Sequence, residues 1–95
     1  MSHTTEWKVR LQLVEDEGRT TARAMLDTGN TSLTSSGTAR CAPGDRDVPE
    51  IGDEFAAGRA LRDLGEQLLH TAERDVEAMG ATPEPRTSTP YGWAL

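Results

Sequence analysis

Residues 45–55 read DRDVPEIGDEF, eleven positions that carry five carboxylates around one proline and one glycine. The stretch sits where the periodicity of the chain changes. Before it apolar residues recur at every second position, and after it they recur every three to four. Its acids admit three readings: a metal loop, a docking surface for a basic partner, or the start of a helix. A calcium loop needs oxygen ligands at its first, third and fifth positions and a glycine at its sixth. Counting from Asp45, the third position is Asp47, but the fifth is Pro49 and the sixth Glu50, so the pattern fails. A magnesium or manganese site built from Asp47, Glu50, Asp53 and Glu54 matches no motif and has no His or Cys beside it. A helix start explains more. Pro49 holds Val48 out of the helical region, and acids in a first turn face unpaired N–H groups and the positive end of the helix dipole. Ile51 lies four residues before Phe55, within reach across one turn. Pro49, Glu50, Ile51, Gly52, Asp53 and Glu54 are therefore expected to build a helix start, and no metal is expected.

Upstream, EWKVRLQLVE (6–15) alternates Trp7, Val9, Leu11 and Leu13 against Lys8, Arg10 and Gln12, the pattern of a strand with one buried face. EDEG (15–18) supplies a turn, and RTTARAMLD (19–27) alternates again, with Ala22, Ala24 and Leu26 opposed to Thr21, Arg23 and Met25. DTGNT (27–31) is a second turn, and SLTSSGTARC (32–41), rich in β-branched Thr, reads as a third strand. Its small positions Ser35, Gly37 and Ala39 leave room on the inner face for something bulky to pack close. Downstream, Phe55, Leu61, Leu64, Leu68, Ala72, Val76 and Met79 fall on one helical stripe that Gly80 stops. A break within HTAERD (70–75), giving two shorter helices, stays open as an alternative. The expected fold class is α+β: a three-stranded antiparallel meander, then a long C-terminal helix packed on one face. Residues 1–80 form one β-β-β-α domain, and 81–95 a Pro/Ser/Thr-rich tail whose Tyr91 and Trp93, alternating with Leu95, are candidates to dock on apolar surface.

A chain of 95 residues has room for one small core, and only 35% of its residues are hydrophobic. Its net charge of −6 is uneven. Residues 1–43 hold five basic and five acidic side chains, whereas 44–95 hold five basic and eleven acidic. One cysteine, Cys41, rules out an internal disulfide and reads as a small buried hydrophobe at the end of the third strand. No apolar run reaches the roughly 20 residues that span a bilayer, and the N-terminus lacks a secretory layout, so a cytoplasmic protein without a membrane is expected. The only histidines, His3 and His70, offer no triad or dyad, and no glycine motif for phosphate appears. No enzyme, cofactor or small-molecule substrate is expected.

One constellation remains. Lys8, Arg10, Arg19, Arg23 and Arg40 fall on the side of the strands away from the helix, with Gln12, Thr21, Thr34, Ser36 and Thr38 and no obvious carboxylate. Such a face can attract phosphate backbones, and its plainer reading is the solvated outer side of an antiparallel sheet. These five cations are the candidate RNA-binding or partner-binding residues. Self-association, with basic strands of one subunit meeting acids of another, is a second use.

Read in order, TARAML (21–26), the Ala39–Arg40 pair, DRDVPEIGDEF (45–55), RALRDL (59–64) and DVEA (75–78) resemble a family of small actinobacterial proteins of unknown function. Its fold is like that of the double-stranded-RNA-binding domain, and it includes dormancy-associated members likened to ribosome hibernation-promoting factors. The resemblance covers roughly residues 6–80. It implies a β-β-β-α core and a homodimer. The expectation that follows is a non-enzymatic, stress-associated dimer binding the ribosome or structured RNA through the basic sheet face. The alternative is a protein-interaction or regulatory module that docks through its acidic helix face and binds no nucleic acid. The chain departs from the family pattern in its polar third strand and its long proline-rich tail.

Overall fold

The two turns expected from EDEG and DTGNT do fold the first 40 residues back on themselves twice. The computed structural model describes residues 2–80. Strand β1 runs Val9–Asp16, β2 Arg19–Asp27, β3 Ser32–Arg40, and helix α1 Pro49–Ala78. The strands form one antiparallel sheet in the order β1-β2-β3. Between β1 and β2 only Glu17 and Gly18 turn the chain, at φ 47° and 75°. Two positive φ values in a two-residue loop make the mirror-image turn whose twist matches that of the flanking strands. Between β2 and β3, Asp27 Oδ1 accepts a 2.8 Å hydrogen bond from the Gly29 N–H, and Thr28 N–H donates to Thr31 O at 2.9 Å.

The register fixes the two faces. Val9, Leu11 and Leu13 stand opposite Leu26, Ala24 and Ala22, which stand opposite Leu33, Ser35 and Gly37. This inner face meets the helix, and its side chains are small. The core consists of Ala22, Ala24, Leu26, Ala39, Ala56, Ala60 and Leu64, with Leu33 and Leu68 packed against it. Small residues let two backbones approach. A Cβ added at Gly37 would stand 2.5 Å from both Ala56 O and Ala60 N, and one at Gly52 would stand 2.8 Å from Thr20 Oγ1. The buried Ser35 hydroxyl uses the same closeness, donating to Ala60 O at 2.7 Å.

The helix starts as the residues dictate. Val48, at φ −117° and ψ 101°, is the extended N-cap, and Pro49 occupies the first turn, where its missing N–H costs nothing. Val48 offers no side-chain cap, and Glu50 alone is the acid of the first turn, so Asp53 and Glu54 lie beyond the dipole positions expected for them. Two further expectations are corrected. The buried stripe is Ala56, Ala60 and Leu64, while Phe55 and Leu61 are 55% and 44% exposed. The packed face is one that can touch Gly37 and Ser35, and bulky side chains there would hold the helix off the sheet. The helix also runs unbroken through 70–75, where the Thr71 hydroxyl donates back to Gln67 O at 2.9 Å instead of capping a new helix. Gly80, at φ 86°, ends it, its N–H donating to Glu77 O.

Candidate functional site

Four of the five predicted cations occupy the outer face of the sheet. Cα partners across β1 and β2 include Arg10 with Met25, Gln12 with Arg23 and Asp16 with Arg19. Continuing into β3, Met25 pairs with Thr34, Arg23 with Ser36, Thr21 with Thr38 and Arg19 with Arg40. The face therefore bears Arg10, Arg23, Arg19 and Arg40, all exposed, among Gln12, Thr21, Thr34, Ser36 and Thr38. Lys8 precedes β1 by one residue and is not part of the ladder. The face is not free of acid: Asp16 stands opposite Arg19, and Asp27 opposite Ser32. Each is the last residue of its strand, beside a turn, and the two-residue period carries it onto this face. The cations thus form a diagonal, with Arg10 near the start of β1, Arg23 mid-sheet, and Arg19 beside Arg40 at the opposite end.

Periodicity also missed Arg59. This residue lies on α1, outside the buried stripe, and its Nη1 donates to Thr38 O at 2.7 Å. Its guanidinium carbon is 5.2 Å from the centroid of the Phe55 ring, one helical turn earlier. The one signal in the sequence is that four-residue spacing of an aromatic and an arginine. Gln67 reaches the same edge, with Nε2 3.0 Å from Thr34 O. Both bonds place this flank of the helix over the free edge of β3.

The described residues leave the opposite sheet edge open. Trp7, Val9, Leu11 and Leu13 are 53%, 46%, 37% and 39% exposed, so the apolar side of β1 lies largely beyond the helix. Exposed Leu61 occupies the helix flank turned away from Arg59 and Gln67. Sheet and helix together thus present an apolar strip that this chain does not cover with its described residues. Tyr91 and Trp93 lie outside the described residues.

At the start of the helix, the acids of the opening stretch meet β1. Glu15 keeps its proton to a higher pH than the ordinary 4.5, through a hydrogen bond with Asp53, the charge of Asp53, partial desolvation, and the charges of Glu50 and Asp47. Asp53 Oδ1 is buried without a hydrogen-bond partner. The Cys41 thiol is half-buried and free, facing the carbonyls of Ala42, Asp45 and Arg46 at 3.6–3.7 Å. Among the described residues no group of three His, Cys, Asp or Glu is placed to hold a metal, and no helix is long and apolar enough to cross a membrane.

The Glu15 shift has a sign that can be tested. A carboxyl with a raised folded pKa contributes stability that is complete below its unfolded pKa and is lost as pH rises through the folded one. Glu15→Gln is accordingly expected to raise Tm at neutral pH, and the gain should shrink as pH falls to about 4, where the parent carboxyl is itself protonated. Thermal melts across that range check it. An offset that does not change with pH would contradict the repulsion.

The arrangement has known counterparts. A family model described as Rv2632c-like matches residues 5–85. An uncharacterized protein of Mycobacterium bovis, Mb1767, is 44% identical over 77 residues, 81% of this chain and 82% of the relative. The uncharacterized protein Rv2632c of Mycobacterium tuberculosis is 38% identical over 76 residues, 80% of this chain and 82% of the relative. The crystal structure of Rv2632c superposes with a TM-score of 0.76 at 34% identity, covering 88% of this chain and 98% of that one. Three antiparallel strands followed by one long helix are thus an architecture shared with a solved relative.

Proposed function

The chain belongs to the Rv2632c-like family, and from that premise we propose a non-enzymatic, stress- or dormancy-associated cytoplasmic protein that binds ribosomal or other structured RNA as a homodimer. Its layout is read as a relative of the double-stranded-RNA-binding fold, with the outer face of the sheet as the RNA surface. The observation that carries this reading is the register, which puts Arg10, Arg23, Arg19 and Arg40 on one exposed face among hydroxyl side chains. Guanidinium groups pair well with phosphate oxygens, and hydroxyls add contacts to phosphate and ribose. Among the described residues the face carries no aromatic ring, so the contacts expected are to the backbone rather than to stacked bases.

Charge distribution supports an oriented approach. The chain is −6 overall, with its excess acid after residue 43. Repulsion from the helix side and attraction to the strand side would turn the sheet toward a polyanion. The homodimer is supported by the uncovered strip of Trp7, Val9, Leu11, Leu13 and Leu61, which a second copy can bury by meeting it across a two-fold axis.

Binding of a structured RNA followed by fluorescence anisotropy across a salt series tests the RNA part. Affinity should fall steeply and log-linearly with salt, and no binding at low salt would remove it. Sedimentation velocity tests the dimer. The parent should sediment as a dimer and Leu11→Asp as a folded monomer, because a carboxylate in the strip is costly to bury. A dimer indifferent to Leu11→Asp would place the interface elsewhere.

A further inference from the structure

We infer that Arg19, Arg40 and Arg59 form a phosphate-binding subsite at the free edge of β3. Arg19 and Arg40 are direct cross-strand partners on the outer face. Arg59 comes from the other layer of the fold and reaches the same edge, where with Thr38 and Ala39 the three arginines line one depression of about 360 Å³. Two like charges paired across a ladder repel, and a third cation brought beside them adds to the cost. Among the described residues no carboxylate forms an ion pair with any of the three. Asp16, the register partner of Arg19, bounds the cluster on the β1 side. The repulsion is relieved by an anion held between the guanidinium groups.

The fork geometry favours phosphate. Arg59 is held by its 2.7 Å bond to Thr38 O and by the Phe55 ring, so its guanidinium is ordered before any ligand arrives. One N–H is used on the carbonyl, and the others remain to donate. Arginine binds phosphate oxygens bidentately, and a group fixed in advance loses less entropy on binding than a free one. The subsite deepens the RNA reading by naming where one phosphate is gripped, but its geometry does not depend on RNA being the source.

The test is a titration of the full-length chain with inorganic phosphate, followed by NMR at the arginine Nε–Hε resonances and compared with sodium chloride at matched ionic strength. Saturable shifts are expected at Arg19, Arg40 and Arg59 and not at Arg10. Arg59→Gln should weaken phosphate binding at least about five-fold, the loss of one charge-assisted fork. A structured RNA forms the second arm. If RNA shifts the same three resonances and phosphate competes with it, the backbone is the source. If phosphate shifts them and RNA does not, the subsite stands as a site for the free ion and takes no part in any RNA binding. Absence of a saturable phosphate shift, or shifts that chloride reproduces, overturns the subsite even where RNA binds elsewhere on the face.

Discussion

Gly37→Ala is expected to cost the fold about 3 kcal/mol, the upper end of what overpacking usually costs, and Gly37→Val to leave no cooperative unfolding transition. The reason is the distance between layers. An added Cβ would stand 2.5 Å from the backbone atoms Ala56 O and Ala60 N and 2.8 Å from Arg59 Cβ. Backbone in a helix interior cannot step aside as a flexible side chain can, so the whole helix must lift. Lifting it would stretch the 2.7 Å bond from Ser35 to Ala60 O and open the alanine contacts that make up most of the core. A domain of this size has only about 5–10 kcal/mol to lose. Gly58 is the matched control, since nothing lies within 4 Å of a Cβ placed there. Gly58→Ala should stabilise by about 0.5–1 kcal/mol through helix propensity. Urea unfolding followed by far-ultraviolet circular dichroism measures both. A Gly37→Ala chain as stable as its parent would contradict the close approach of helix and sheet.

The second large effect is expected on binding. Arg10 and Arg23 lie on neighbouring strands, on the diagonal between the rows Arg10–Met25 and Gln12–Arg23. Such diagonal neighbours are about 7–8 Å apart along the backbone, close to the spacing of successive phosphates that two forks can grip. Arg10→Glu combined with Arg23→Glu changes the charge of the face by −4. Affinity for structured RNA should fall at least about 100-fold at low salt, and the slope of log affinity against log salt should flatten by about two. Both side chains are exposed, and neither belongs to the core, so Tm should hold. A double variant that binds as its parent does would move the RNA surface off this face.

Much of this was legible from alternation. Val9, Leu11 and Leu13 against Arg10 and Gln12 fixes which side of β1 is which, and the same two-residue period places Arg23 and Arg40. The helix start was legible because Pro49 after Val48 constrains the backbone locally. What periodicity misjudged was the lateral and rotational setting of the helix. Hydrophobic periodicity weights Phe55 and Leu61, but the contact with Gly37, Ser35 and Ala22 selects Ala56 and Ala60, whose small side chains carry little weight in any hydrophobic stripe. The room left by Ser35, Gly37 and Ala39 is filled by helix backbone and not by a bulky side chain. From that setting follow two features the sequence could not display: the uncovered side of β1, which depends on how far the helix sits toward β3, and the reach of Arg59 to Thr38 O across the sheet edge.

DRDVPEIGDEF marks the hinge between these layers. Pro49 and Glu50 start the helix, and Gly52 lets it settle against Thr20. Asp53 and Glu15 hold carboxyls against each other at the far end of the sheet from Arg10. These acids therefore lie at the Arg19–Arg40 end of the sheet but on its helix-facing side, and away from Arg10 and Arg23.

Co-sedimentation with purified ribosomes over a salt series tests the placement of RNA at Arg10 and Arg23 most directly. The chain should pellet with ribosomes at low salt, be released progressively as salt rises, and stay in the supernatant when Arg10 and Arg23 are both replaced by glutamate. Failure to pellet at the lowest salt, or pelleting that the charge reversal leaves unchanged, would contradict it.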